Sequence, residues 1–553
     1  MSTIKNSIEN FLYPFIERYT EKVAKGGEAT VIEGISVLNE ESAFTHGALI
    51  HATAILYIHY EKIRDPKAAI ILERLNRFID ITTKKEAVMT WGKLAILRAL
   101  NKLKKANLLK NINRDSLDKL NRLTDYSDFL NKESIELLGY PTNYYQVALA
   151  CAAYREALGF DTETISDRIE EKFISISFPT PNAFMDDEIG RGRYDRYSLV
   201  LSSEISDLYR DLNRPIPDPV LHNLAICAEH SLFMANIVGD GFNYGRSLSV
   251  HGDLTPAEIL ASALSRGLIK DEDKRTATAY IFAILQKLFY FWFNSSKDSF
   301  DIWWNGRTTN DYRQIHRLLE VNMDMASHIY ALFDNITAAE LENEKISAIL
   351  PYPKSWEYRK IEFDGVHSAY TLRYKDYLCM LPFIGTKKLA AVASYNPFPS
   401  ICGFTEGSPM STLPFLVPEY TDISGKKYRP VHFVKRTKEA KSGSTLTITA
   451  YGNLMCIDDG FSESAIEYRQ DLRFSDGEIT VEFEVFSDMV SAEMFTAENA
   501  ERMKIFVGGF TESYKTPILD NDDFKTPHGA YTVAHKHYSK APKRLGYKAF
   551  IEI

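Results

Sequence analysis

Little in this sequence favours export or a membrane. No basic leader followed by an apolar run opens it, so the cytoplasm is the expected compartment. The longest apolar stretch, residues 288–293, falls far short of the roughly 20 residues that span a bilayer. Cysteine is scarce. The five residues Cys151, Cys227, Cys379, Cys402 and Cys456 form no C-x-x-C and no pairing pattern, which argues against a disulfide scaffold. Positive charge is not in excess either: a net charge of -9 excludes a large nucleic-acid footprint, though a local basic patch could still meet an anionic ligand. Phosphate-binding glycine motifs are missing, since Gly190-Arg191-Gly192-Arg193 is a lone glycine pair among bulky charged neighbours. Asp186-Asp187-Glu188-Ile189-Gly190 lacks the last acid of a D-D-x-x-D diphosphate site.

The chain is, by contrast, long and rich in aromatics. Its 553 residues exceed what one hydrophobic core supports, and two or three domains follow. Tyrosine, with 31 residues, joins a flat apolar face to a hydrogen-bonding tip and suits sugar rings as well as helix packing. Up to about residue 335 the apolar spacing is helical. Tyr144, Val147, Ala148, Cys151, Tyr154 and Leu158 form one such stripe; Ile315, Leu318, Leu319, Asn322, Met325, Ile329 and Phe333 form another. About a dozen helices are predicted, one of them opened by Thr255-Pro256-Ala257-Glu258 with Thr255 as N-cap and Glu258 completing a capping box. After Pro351 and Pro353 the period changes to two. Ile479, Val481, Phe483 and Val485 alternate with Thr480, Glu482 and Glu484, Leu446, Ile448 and Ala450 alternate likewise, and Asp364-Gly365 reads as a hairpin turn. The expected fold is an (α/α)6 helical toroid over residues 1–340, followed by an antiparallel β-sandwich over 341–553; an open helical array is the alternative.

Three polar, aromatic-rich segments interrupt the helices: residues 140–145, 186–198 and 239–253. Tyr194-Asp195-Arg196-Tyr197-Ser198, followed some forty-five residues later by Gly241-Phe242-Asn243-Tyr244-Gly245-Arg246-Ser247-Leu248, resembles the bacterial family called domain of unknown function 2264. The wider architecture resembles toroidal polysaccharide lyases of the heparinase and alginate-lyase kind, and some uronate-releasing glycosidases. The resemblance implies a helical toroid backed by a β domain and action on an acidic oligosaccharide. Ser249-Val250-His251-Gly252-Asp253 stands where that family continues with an aromatic-basic segment.

Uronide elimination needs groups of the types these segments hold. A Tyr or His takes the proton beside the carboxylate, and Asn, His or Arg offsets the charge that develops. Tyr197, Tyr244 and His251 are the expected catalytic residues, with Asn143, Arg196, Arg246, Asp240 and Tyr194 binding substrate. No cofactor and no metal is expected; His535 and His537 alternate at strand spacing without an evident third ligand. Each residue also has a plainer reading. Asn143 suits a helix N-cap, Arg246 could pair with Asp240 or Asp253, Tyr194 could pack, and His251 could hydrogen-bond a loop. His46 and His51 read as interior or surface histidines. A glycoside hydrolase drawing on Asp186, Asp187, Glu188, Asp195, Asp240 and Asp253 is the second functional reading, and a non-catalytic glycan-binding protein the third. The expected partner is the acidic oligosaccharide, with no nucleic acid and no membrane; a homodimer is compatible with the chain.

Overall fold

The computed structural model describes residues 3–32, 35–38, 44–245, 250–300, 317–346, 353–375, 377–385, 400–401, 417–422, 424–430, 435–460, 462–486, 503–506, 521–526, 529–541 and 544–552. Among them, the stretch up to residue 338 holds twelve α-helices: α1 (Ile4–Gly26), α2 (Phe44–Ile63), α3 (Lys67–Thr82), α4 (Thr90–Lys105), α5 (Arg114–Leu123), α6 (Tyr144–Leu158), α7 (Ser166–Ser177), α8 (Arg196–Leu212), α9 (Asp218–Phe233), α10 (Val250–Ser265), α11 (Asp271–Lys287) and α12 (Arg317–Ala338). The even-numbered helices close on themselves. α2 packs on α4, α4 on α6, α6 on α8, α8 on α10, α10 on α12, and α12 returns to α2. Of the odd-numbered helices, α1, α3, α7, α9 and α11 lie against this ring and α5 packs on α3, and among the described residues the helical half also holds three two-residue hairpins. No described helix is long and apolar enough to cross a membrane.

Inner and outer helices differ as their sequences require. α10 is buried at every residue from Val250 to Leu264, the pattern of a helix enclosed on all sides. α5, on the outside, buries only Ser116 and Leu120. The predicted start of α10 needs correction. The helix begins five residues before Thr255, and Pro256 lies inside it. Proline there has no N–H for the Gly252 carbonyl. That carbonyl instead accepts the Phe242 N–H at 2.8 Å, tying the 236–245 loop onto the helix. Gly241 must be glycine at this crossing, because a Cβ would stand 2.4 Å from the Gly252 oxygen.

A buried charge cluster locks the same junction. Lys287, at the end of α11, reaches Asp240 at 2.6 Å and Asp253 at 2.9 Å. Asp253 also accepts the Trp292 indole N–H at 2.7 Å and the Gly241 backbone N–H at 2.8 Å. Both carboxylates are almost fully buried, so one cation between them is what makes their burial tolerable.

The β half is antiparallel throughout its described residues. A four-stranded sheet (Glu357–Glu362, Ser368–Tyr374, Tyr377–Phe383, Ser400–Ile401) and a ten-stranded sheet are present. Asp364-Gly365 joins the first two strands of the small sheet as expected. Its central strands are buried at nearly every position, because each face has a partner. Ala369, Leu378 and Met380 join the helical core. Tyr370, Leu372, Cys379, Leu381 and Phe383 join a second core with Leu446, Ile448, Ile479, Val481, Phe483 and Val485 of the large sheet. The small sheet is thus a middle layer between helices and large sheet. At its helix-facing side, Thr371 Oγ1 lies 3.0 Å from His230 Nε2, and Arg373 donates to the Phe233 carbonyl at 3.2 Å. In the large sheet, the strand Gly529–Ala541 is bulged between His535 and His537.

Two outcomes follow. Lys287→Met should lower stability by about 3–5 kcal/mol, because it leaves two buried carboxylates without their cation; hydrogen exchange should show the loss first at residues 236–245 and the start of α10. The second concerns His230, whose pKa burial and then Arg359 push down to about 3. It is neutral in the fold but protonates near 6.5 in the unfolded chain. The unfolded state therefore binds the extra proton, and stability should fall as pH drops from about 6.5 toward 3, by up to about 1.4 kcal/mol per pH unit from this group. Denaturant titrations of His230→Gln against the parent chain should show that slope reduced.

Candidate active site

The ring encloses one cavity lined by His51 of α2, Trp91, Ala95 and Arg98 of α4, Arg196, Tyr197 and Glu204 of α8, His251 of α10, and Asp324, Ser327 and His328 of α12. Trp91, Arg196, Tyr197 and His251 all sit in the first turn of their helices. The positive ends of three helix dipoles therefore meet at this void.

Asp195 starts α8, accepting the Tyr197 backbone N–H at 2.9 Å, while the Ser198 hydroxyl returns a bond to the Asp195 N–H. This reciprocal cap fixes where Arg196 and Tyr197 emerge. Gly245, at φ +84°, backs it at a distance no side chain allows, since a Cβ would meet the Asp195 Cβ at 2.4 Å. Arg196 then crosses to α10, where its Nε donates to Thr255 Oγ1 at 2.9 Å and its Nη2 lies 3.8 Å from Glu258. Thr255 and Glu258, read from sequence as a capping pair, are instead mid-helix partners of this arginine. The Arg196 guanidinium also lies over the Tyr197 ring, 4.8 Å from its centre.

On the opposite wall His328 sits between two acids. Its Nδ1 lies 2.5 Å from Glu258 Oε1 and its Nε2 3.6 Å from Asp324 Oδ2. His251 Nε2 faces the same Asp324 oxygen at 3.5 Å. Burial would lower the His328 pKa, but Glu258 and Asp324 outweigh it and hold it well above the usual range. Burial likewise opposes ionisation of Asp324, and the imidazoles of His328 and His251 overcome it. Glu204 goes the other way: burial raises its carboxyl, against the pull of Arg98. His51 is held neutral, first by burial and then by Lys102 and Arg98, and its Nε2 has no hydrogen-bond partner among the described residues.

The predicted site residues divide by position. Arg196, Tyr197 and His251 border the cavity. Tyr244 does not: it is wholly buried against Phe242, and burial followed by the charge of Asp195 raises its phenol far above the ordinary value. Asp240 is bound to Lys287. Tyr194 stacks on Phe363 at 4.5 Å and donates to Asp364, which places it where helices meet the small sheet. Asn143 lies at the start of α6 without making a capping bond; its Oδ1 is buried with no partner among the described residues. Arg246 lies outside the described residues.

The acids named for hydrolysis serve the scaffold. Asp186 accepts four backbone N–H groups of its own loop, Asp187 pairs with Arg193 at 3.0 Å, Glu188 faces Arg191 and Arg193, Asp195 caps α8, and Asp253 shares Lys287 with Asp240. Among the described residues, the carboxyl groups lining the cavity are Glu204 and Asp324, while Glu258 is bonded to the cavity residue His328. Sequence reasoning passed over these acids, together with Arg98 and His328. A signal existed: charged side chains recur inside stretches whose neighbours are apolar and core-facing, as in Asp324-Met325-Ala326-Ser327-His328.

Searches for relatives locate this chain only loosely. No protein-family model matches it, so the resemblance to domain of unknown function 2264 finds no counterpart, and no curated protein matches it. Among solved structures, it is similar to a chondroitin AC lyase variant from Streptomyces coelicolor A3 (TM-score 0.45, 10% identity, covering 98% of this chain and 76% of that one). It is similar to heparinase III at a TM-score of 0.45 and 9% identity, covering 98% and 82%. A heparan sulfate lyase variant from Pedobacter heparinus aligns at a TM-score of 0.24 and 8% identity, covering 98% and 80%.

Proposed function

We propose that this chain is a lyase that cleaves uronate-containing oligosaccharides by β-elimination, built as an (α/α)6 toroid over residues 1–340 with an antiparallel β-sandwich over 341–553. The observation that carries the reading is the convergence of Tyr197, Arg196, Arg98, Trp91 and His251 on one cavity inside the closed helical ring. A uronate sugar entering it meets an indole face to stack on and two guanidinium groups suited to its carboxylate. With its own proton already lost, the Tyr197 phenolate oxygen takes the proton from the carbon beside the carboxylate. The electron pair left behind forms the new carbon–carbon double bond as the bond to the 4-linked oxygen breaks. That oxygen then receives a proton, which the same phenol can return. Arg196, over the Tyr197 ring, favours the phenolate form from which this step starts. His51 suits the proton-abstracting role less well, because burial, then Lys102 and Arg98, push its pKa down and weaken it as a base.

Hydrolysis is the second reading. Glu204 and Asp324 border the same cavity, and burial raises Glu204 toward the protonated form that a general acid needs. Incubation with glucuronate, galacturonate and mannuronate oligosaccharides separates the two. Elimination creates an unsaturated uronate with ultraviolet absorbance; hydrolysis creates new reducing ends without it. Absence of both products across the panel would leave the glycan-binding reading.

Tyr197→Phe should lower kcat by about 10²- to 10⁴-fold, the usual share of a positioned acid–base group, with KM nearly unchanged because the ring remains. Tyr244→Phe should retain activity, since its hydroxyl lies away from the cavity. Full activity in Tyr197→Phe would remove the elimination mechanism as written.

A further inference from the structure

We infer that His251, Asp324 and His328 form a binding site for a divalent transition-metal ion of the zinc type, with its open coordination positions facing the cavity. The donor atoms are His251 Nε2, Asp324 Oδ2 and His328 Nε2, all within 4.8 Å of one another. The carboxylate oxygen stands 3.5 Å from one imidazole nitrogen and 3.6 Å from the other. Both gaps are too long for hydrogen bonds, which run from about 2.7 to 3.2 Å. They are close to the spacing of about 3.4 Å between neighbouring ligands on a tetrahedral ion whose bonds are about 2.0–2.1 Å.

Three further observations support an ion at this point. Asp324 and His328 are four residues apart on α12 and so share a face, and α10, which carries His251, packs directly against it. Glu258 holds His328 Nδ1 at 2.5 Å. A carboxylate on the far nitrogen is the usual means of orienting a metal-binding imidazole and aiming its other nitrogen at the ion. Asp324 and His328 also keep part of their surface open to the void, which gives an ion a way in. Two imidazoles and one carboxylate suit zinc, cobalt, nickel, manganese or iron(II), and disfavour calcium and magnesium, which prefer all-oxygen shells.

At its open position such an ion would take a carboxylate oxygen of the substrate. That role rests on the uronate reading; the metal site itself does not.

The test uses the full chain, stripped with chelator and titrated with zinc chloride alone by calorimetry. One ion per chain is expected, with protons released as His328 Nε2 exchanges its proton for metal. His251→Gln and Asp324→Asn should each weaken binding by 100-fold or more, and Glu258→Gln by about 10- to 100-fold with the stoichiometry kept. Circular dichroism on each variant separates lost ligands from lost fold, and X-ray absorption of the loaded parent chain gives a readout that needs no variant. Two imidazole nitrogens and oxygen around the ion support the site. Sulfur neighbours, absent uptake, or unchanged affinity in folded His251→Gln and Asp324→Asn overturn it. A chain that binds one zinc here yet cleaves no uronate keeps the site and loses the lyase reading. With cobalt(II) in place of zinc, glucuronate should shift the visible bands; an unshifted spectrum overturns the carboxylate role.

Discussion

One lysine ties the helical half together. Lys287 is the cation between two nearly inaccessible carboxylates, Asp240 from a loop and Asp253 from α10. Leaving either acid uncompensated is costly enough that the loop, α10 and the end of α11 hold a single relative position. His251 stands two residues before Asp253, so its place on the cavity wall follows from that charge cluster rather than from its own contacts. Pro256 adds to the arrangement by what it lacks. The missing N–H releases the Gly252 carbonyl to the loop, and the helix gains a cross-link where an unbroken helix would have spent the acceptor internally.

The cavity shows the opposite use of charge. In the ring interior, ionisable groups come from five of the six inner helices, and burial together with neighbouring charges sets their protonation. His51 is driven neutral and Glu204 toward its protonated form, while His328 and Asp324 keep opposite charges because each faces the other. Closely packed groups whose titrations are pushed apart in this way are typical of chemistry at a site. Elsewhere, Asp186, Asp187, Asp195 and Asp240 do structural work in turns, caps and ion pairs.

The small sheet joins the two halves because its central strands have no wet face. Residues alternate between the helical core and the large sheet, so the run from Leu378 to Phe383 reads as uninterrupted apolar sequence. Tyr194 belongs to this junction, stacked on Phe363, and so holds the segment leading into α8 against the sheet.

Local pattern was enough for the elements. Spacing of three and four marked the helices, spacing of two marked the strands Thr445–Cys456 and Glu478–Phe486, and the change of period near residue 340 separated them. Tyr197, Arg196 and His251, which line the cavity, were legible as candidates because they lie in polar segments flanking helix starts, and such segments are visible in the chain itself. Periodicity says which face of a helix is buried, but not whether that face meets a core or a cavity. Tyr244 and Tyr197 therefore look alike in sequence, although one phenol is sealed against Phe242 and the other borders the void. Thr255 and Glu258 matched a capping box, yet the helix had already begun, because contacts from α8 and the 236–245 loop outweigh the local signal of a proline. The Glu258–His328–Asp324–His251 cluster joins residues some seventy positions apart. Only closure of the ring, driven by burying the inner helices against one another, brings those charges within reach.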